Sequence, residues 1–277
     1  MNRKSSSQAW MPTQSYPVHI WQAGQPSLAY KNDVLAEEIP VALIYNGVSH
    51  VVMLATPQDL EEFALGFSLT EGILNDKSEL YGIEILEQAQ GIELHCEIAS
   101  ARFANLKERR RNLLGRTGCG LCGAESIGQA MRVPDVRAVT PALETLSHAA
   151  IQFAFESIQG EQVLQQTTGA THACAWVDNQ GQVQLVREDV GRHNALDKLI
   201  GALAKSAQPA GFVLTTSRAS YEMVQKVASA GINFLVAISA PTGLAVRFAE
   251  DNGVTLVGFV RDNRHVVYAH PERMNKS

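Results

Sequence analysis

The sequence predicts an α/β fold, with a mixed α+β arrangement toward the N-terminus. Three observations carry that expectation. The chain of 277 residues is 45% hydrophobic and 18% charged, a balance that suits a folded protein with a sizeable core. From Asp189 onward, short apolar strand patterns alternate with helical ones, as they do where crossover connections lay down a sheet. Ahead of that region, hairpin and helix signals mix without such alternation.

Taken in chain order, residues 1–17 are polar and read as a tail. The run EIPVALIYNGVSHVVMLA holds two β-rich stretches around Asn46 and Gly47, a pair that suits a tight type I′ turn because both residues tolerate positive φ. Thr56 and Pro57 then offer a helix cap and a first-turn proline, and Leu60, Phe63, Ala64 and Phe67 follow at helical spacing until Gly72. GIELHCEIA alternates as a half-buried strand with Ile92, Leu94, Cys96 and Ile98 on one face, so Cys96 belongs in the core. LKERRRNLL reads as a charged helix leading into a Gly/Cys loop. After a linker, Thr140 and Pro141 open a second helix with Leu143, Leu146, Ala150 and Phe153 on its apolar face. THACAWVDNQGQVQLVRE is a hairpin turning at residues 179–181, and the next helix carries Leu196, Leu199, Ile200 and Leu203. GFVLTTS, NFLVAIS and VTLVGFV are buried strands, with helices from Tyr221 and Leu244 between them and HVVYAH as a further strand. This alternation implies a parallel sheet. The expected organisation is a tail at 1–17, an N-terminal α+β domain at 18–115, a Cys-bearing loop and linker at 116–139, and a C-terminal domain at 140–277.

The formal net charge of −5 does not favour nucleic acid, so any anion-binding role rests on local basic clusters. Four cysteines in a chain of this length are too few for a disulfide scaffold. The polar N-terminus lacks the apolar core of a signal peptide, and no apolar run approaches the roughly 18 residues of a membrane span. A cytoplasmic protein without a membrane partner is therefore expected.

The stretch GRTGCGLCGAE matches several patterns at once. Gly118, Gly120 and Gly123 spell G-x-G-x-x-G, but a dinucleotide fingerprint follows a strand and opens a helix, and here a charged helical segment precedes it. Cys119 and Cys122 form a C-x-x-C, yet a thioredoxin-like motif sits at a strand-to-helix junction, whereas three glycines favour a mobile loop. Zinc is a stronger competitor, because His172, Cys174 and His193 would complete a ligand set. Deaminase chemistry fits poorly. Cys174 stands where the catalytic Glu of an H-x-E would be, and the C-x-x-C precedes the histidine and follows Gly rather than Pro. A structural zinc stays open. The remaining reading is a nucleophilic or sulfur-carrying thiol. An unperturbed cysteine has a pKa of about 8.5. Arg116 and the run Arg109, Arg110 and Arg111 supply cations that favour the thiolate, although such a run is also what a solvated helix face looks like.

In an open α/β sheet, ligands bind beyond the carboxyl ends of strands. Three such ends carry polar signatures: Ser217, Arg218, Ala219 and Ser220; Ser239, Ala240, Pro241 and Thr242; and Val260, Arg261, Asp262, Asn263 and Arg264. Any one hydroxyl reads as an ordinary helix cap, but three arginines go beyond what capping requires and suit a phosphorylated ligand such as a nucleotide. Glu188, Asp189, Arg192 and His193 are placed to line the same pocket.

EEIPVALIYNG, FALGFSLTEGI, GRTGCGLCG, THACAWV, EDVGRHNALDKLIG, SRASYEMVQK, SAPTGLAV and TLVGFVRDNRHVVYAHPER, in that order, resemble the FdhD family of sulfur carrier proteins required for formate dehydrogenase activity. The resemblance spans residues 37–273. It implies a cytoplasmic, homodimeric sulfurtransferase that takes persulfide sulfur from a cysteine desulfurase and delivers it to bis-molybdopterin guanine dinucleotide, for use by formate dehydrogenase. It also implies a C-terminal cytidine-deaminase-like α/β/α domain. By the same resemblance Cys119 carries the persulfide, with Cys122 beside it. Phe259, Val260, Arg261, Asp262, Asn263 and Arg264 form the guanine-dinucleotide segment, a site that a guanine nucleotide would also occupy. Ser217, Arg218, Thr242 and His193 are expected to complete the pocket, and no resident metal is assigned. Cys174 departs from the family motif. The alternatives are a zinc-binding deaminase-fold protein and a cofactor chaperone without catalysis.

Overall fold

The computed structural model describes residues 10–24, 29–114 and 137–275. The C-terminal half is built on a six-stranded sheet. Its strands, in chain order, are β7 (His172–Asp178), β8 (Val183–Asp189), β9 (Gly211–Thr215), β10 (Phe234–Ala237), β11 (Thr255–Arg261) and β12 (Arg264–Ala269), and their spatial order is β12-β11-β10-β9-β7-β8. Only β9, β10 and β11 run parallel. The other pairings are antiparallel, which corrects the expected parallel sheet. Short turns join β7 to β8 and β11 to β12, and a hairpin connection cannot produce a parallel pair.

Helices cover both faces of this sheet. On one side lie α5 (Arg192–Lys205), α6 (Tyr221–Ser229) and α7 (Gly243–Asp251), packing Leu196, Leu199, Val224 and Phe248 against Trp176, Val213, Leu235 and Leu256. On the other lies α3 (His148–Glu161), whose Ile151, Ala154 and Ile158 meet Val177, Phe212, Val236 and Val260. The short helix α4 (Val163–Thr168) follows α3.

The N-terminal half has its own four-stranded sheet, ordered β4-β3-β6-β5, from β3 (Ile39–Tyr45), β4 (Val48–Ala55), β5 (Leu80–Gln88) and β6 (Gly91–Ile98). Asn46 and Gly47 both take positive φ at the β3–β4 turn, as the dipeptide predicts. Ile92, Leu94, Cys96 and Ile98 are all buried, as their alternation predicts. Helix α1 (Leu60–Thr70) buries Leu60, Phe63, Ala64 and Phe67. Helix α2 (Ser100–Leu114) carries the charged run.

Other boundaries differ from expectation. Strand β1 (Thr13–Ile20) begins inside the stretch read as a tail and pairs with β2 (Ala29–Ala36) as a two-stranded ribbon. All its side chains are exposed or half-buried, so it carries no apolar alternation to read. Thr56 does not cap α1. Its N–H donates to Asp189 Oδ2 at 3.0 Å and its hydroxyl accepts from the Val190 N–H at 3.2 Å, while Asp59 takes the cap position. The second helix starts at His148 rather than at Thr140. Ser147 caps it by accepting from the Ala150 N–H at 3.1 Å. Leu143 and Leu146 are buried from extended chain, Leu143 being held by the Asn233 carboxamide through both its N–H and its carbonyl. Phe153 faces outward.

The two halves meet through α1 and α5. A Cβ on Gly66 would overlap the Asp197 carbonyl oxygen, and one on Gly201 would overlap the Glu62 carbonyl oxygen. The helices therefore cross backbone to backbone. Among the described residues, no helix is long and apolar enough to cross a membrane.

Candidate functional site

The three strand ends form one rim, tied together by backbone hydrogen bonds. The Ala219 N–H donates to the Ala240 carbonyl at 3.3 Å, and the Thr242 N–H donates to the Ala219 carbonyl at 3.1 Å. The Phe259 N–H reaches the Ser239 carbonyl at 3.1 Å. The Arg261 guanidinium donates to the Ile238 carbonyl at 2.6 Å and to its neighbour Val260 at 2.7 Å, stitching the third end to the second. Gly258 is required here, because a Cβ would sit 2.8 Å from Pro241 and 3.2 Å from the Ser239 oxygen.

A bulge interrupts the β11–β12 pairing between Gly258 and Arg261. Within it Phe259 adopts φ +50°, an unusual conformation for a bulky residue. A bulge re-aims side chains, and this one leaves Phe259 exposed while Val260 drops fully into the core. Asn263, at φ +57°, closes the turn.

Each expected pocket residue thus has a definite place. Arg218, Asp262 and Arg264 are exposed. Among the described residues, neither the Arg218 nor the Arg264 guanidinium has a hydrogen-bond partner, so both are open to an anion. Thr242 is exposed and also caps α7, accepting from the Ala245 N–H at 3.3 Å. Ser217 is buried, and its hydroxyl is committed to the Arg218 carbonyl and Thr215 Oγ1, both at 3.0 Å. Ser217 and Val260 therefore shape the rim from beneath rather than offer side chains to it.

His193 stands at the start of α5, with Nε2 at 2.9 Å from Glu222 Oε2 and 3.4 Å from Ser220 Oγ. That contact joins α5 to the first strand end. Burial and the neighbouring Arg192 cation push the imidazole's pKa down, with Glu222 opposing them. Arg192 Nε is a buried donor with no partner among the described residues. His172 is half-buried, and burial together with Arg192 lowers its pKa as well.

Two residues expected in the pocket lie elsewhere. Asp189 is fully buried and pairs with Lys198 at 2.7 Å, while also accepting from the N–H groups of Thr56 and Gly191 and from the Asn194 amide. Glu188 accepts from the Leu164 and Gln165 N–H groups at 2.8 Å and from the Thr171 hydroxyl at 3.0 Å. Both are structural because β8 ends inside the protein, where a carboxylate is held by surrounding donors.

Cys174 is completely enclosed, its Sγ 3.5 Å from Thr215 Oγ1, and burial pushes its thiol up to about 12. It is a core residue. Cys96 is likewise buried and pushed up to about 12. Cys119, Cys122, Arg116 and the side chains of Arg109, Arg110 and Arg111 lie outside the described residues. Among the described residues, no group of three or more His, Cys, Asp or Glu is placed to hold a metal ion.

The sequence reading missed both buried cations, Lys198 and Lys226. Lys226 Nζ lies 3.0 Å from Asp197, 2.8 Å from Glu71 and 3.0 Å from Thr70 Oγ1. Lys226 sits in the last turn of an amphipathic helix, where a lysine normally reaches water, so no local signal marks it.

Comparison with known proteins agrees with this architecture. Sulfur carrier protein FdhD of Cupriavidus necator is 58% identical over 266 residues, covering 95% of this chain and 91% of its own. The same-named protein of Bordetella petrii is 54% identical over 256 residues, covering 91% of each chain. A crystal structure from Desulfotalea psychrophila, described as that of a formate dehydrogenase accessory protein, superposes with a TM-score of 0.71 at 26% identity, covering 95% of this chain and 99% of that one. The FdhD/NarQ family profile matches residues 36–275, and the chain belongs to that family.

Proposed function

We propose that this protein is a sulfur carrier serving formate dehydrogenase, with the strand-end rim as the seat of the molybdenum cofactor's guanine dinucleotide. The observation that carries the reading is the rim: three strand ends locked together, with the guanidinium groups of Arg218 and Arg264 open to an anion. The donor set fits a pyrophosphate. Arginine binds phosphate through paired N–H groups. Arg192 Nε, a buried donor with no partner among the described residues, would take a further acceptor. Exposed Phe259 offers a ring face for stacking against a base. The relatives' printed name, sulfur carrier protein, supports the sulfur role.

In this reading Cys119 carries the sulfur. Its thiolate attacks the outer sulfur of a desulfurase persulfide. The desulfurase leaves as a thiolate and Cys119 becomes a persulfide. Upstream arginines favour the attacking thiolate. The rim's arginines would hold the cargo's phosphates, and Cys119 would return as a thiolate once an acceptor takes its outer sulfur. Cys122 follows Cys119 by three residues in the sequence.

Mass spectrometry after incubation with a cysteine desulfurase and cysteine tests the proposal. One added sulfur is expected in a peptide containing Cys119, absent from Cys119→Ala. No added sulfur, or full support of formate dehydrogenase by Cys119→Ala, would instead select a chaperone that only binds the cofactor.

A further inference from the structure

Helix α3 sends two side chains to the β11–β12 hairpin. His148 Nδ1 lies 2.7 Å from His265 Nε2, the rings being stacked at 4.8 Å between centroids. Gln152, one turn further along, places Nε2 at 3.2 Å from His265 Nδ1, and its Oε1 accepts from the Asn263 backbone N–H at 3.0 Å. These contacts form a chain whose direction is fixed from one end. A backbone N–H can only donate, so Gln152 must present its oxygen to Asn263. Its NH₂ group then faces His265, whose Nδ1 must accept. In the neutral ring, His265 Nε2 therefore carries the hydrogen and donates to His148 Nδ1.

Only neutral rings satisfy every link. A proton on His265 Nδ1 meets the Gln152 NH₂ donor to donor. Flipping Gln152 moves the conflict to Asn263, where NH₂ would meet N–H. A proton on His148 Nδ1 requires His265 Nε2 to accept, which shifts the hydrogen of His265 to Nδ1 and produces the same conflict. Burial and the proximity of His148 lower the pKa of His265, in keeping with a neutral folded form. The other charged groups on this hairpin, Arg261, Asp262 and Arg264, are exposed, and Arg261 is tied to the Ile238 and Val260 carbonyls. Within α3, Glu156 lies one turn beyond Gln152 and is exposed.

We propose that Gln152 is a positioning residue that couples the protonation state of the His148–His265 pair to the turn at residues 262–263, and so to the nucleotide rim. Near neutral pH the chain holds the Asn263 N–H and fixes the turn between Arg261 and Arg264. On acidification the charged His265 ring takes the Gln152 oxygen in a stronger hydrogen bond, the amide flips, the link to Asn263 breaks and the turn loses its anchor. The coupling to ligand rests on the rim being the nucleotide site; the coupling to the turn does not.

Two measurements test it. The first needs no ligand: NMR of the full chain follows the Asn263 amide and the His265 ring across roughly pH 5 to 8, where histidines titrate. Both should move with one midpoint, and in Gln152→Ala the amide should no longer follow the ring. An Asn263 amide that ignores the titration of His265 overturns the proposal. The second uses GDP-glucose, whose pyrophosphate diester has no ionisation in that range. Binding should weaken about three- to tenfold toward the acid end, the worth of one hydrogen bond. Gln152→Glu can accept from both Asn263 and a protonated His265, so its affinity should no longer fall on acidification. An acid loss unchanged in Gln152→Glu would also overturn the proposal. Absence of GDP-glucose binding at any pH would refute the rim as a nucleotide site and leave the NMR result to decide the turn.

Discussion

Lys198 has no exposed side-chain surface, and its ammonium is enclosed by Asp189 and by the carbonyl oxygens of Thr56 at 3.0 Å and Glu188 at 3.4 Å. Its charge is sustained by those contacts, with the Asp59 carboxylate adding to them. Burial lowers its pKa, and Asp189 is the main opposing influence. Asp189→Asn should leave an uncompensated buried cation and cost about 3–5 kcal/mol in denaturant unfolding. A loss below about 1 kcal/mol, the usual value of an exposed pair, would show that water reaches the site. The motif EDVGRHNALDK was legible as important, but its Glu188 and Asp189 were misplaced as pocket lining. A charged residue at the end of a strand looks the same in sequence whether it faces a ligand or a buried lysine nine residues on. Arg218, Arg264 and Thr242 were legible because strand-end polar residues in an open sheet have few places to go. Ser217 and Val260 were not, because a bulge and a neighbouring threonine decide which way they point.

Helix and strand patterns from Asp189 onward were legible almost element by element, since β9 and β10 are buried throughout and α6 and α7 each bury one apolar face. The ribbon β1–β2 and strand β5 were not, because most of their side chains meet solvent and leave no period to find. The start of α3 was hidden for another reason: Asn233, distant in sequence, takes the backbone groups of Leu143 that a helix would have used. The crossing of α1 over α5 depends on two glycines that sequence alone offers no reason to single out. Gly201→Ala should force the helices apart and destabilise the protein by about 1–3 kcal/mol or more, with thermal unfolding as the readout. Gly160→Ala serves as the control, since a Cβ there meets nothing within 4 Å and lies in the exposed last turn of α3. A Gly201→Ala protein as stable as that control would show that the helices separate freely.

At the scale of the whole molecule, two sheets lie on either side of a shared helical layer. The N-terminal core closes over Ala204 of α5, while Ala195, Leu196, Leu199, Ile200 and Leu203 of the same helix pack in the C-terminal core. Lys226 of α6 is bonded to Thr70 and Glu71 of the first half, and Asn194 donates to the Leu54 carbonyl at 2.7 Å. Calorimetry should therefore record one unfolding transition rather than two, with calorimetric and van't Hoff enthalpies in agreement. The two sheets were legible as separate blocks of sequence. Their fusion was not, because it depends on pairings more than a hundred residues apart. Those long-range ammonium and amide contacts bear on how such a chain can be recombined. A breakpoint anywhere between Glu71 and Asn194 would consign donors to one parent and their acceptors to the other, so a half-exchange should fold well only where both parents carry matching residues at Thr70, Glu71, Asn194 and Lys226.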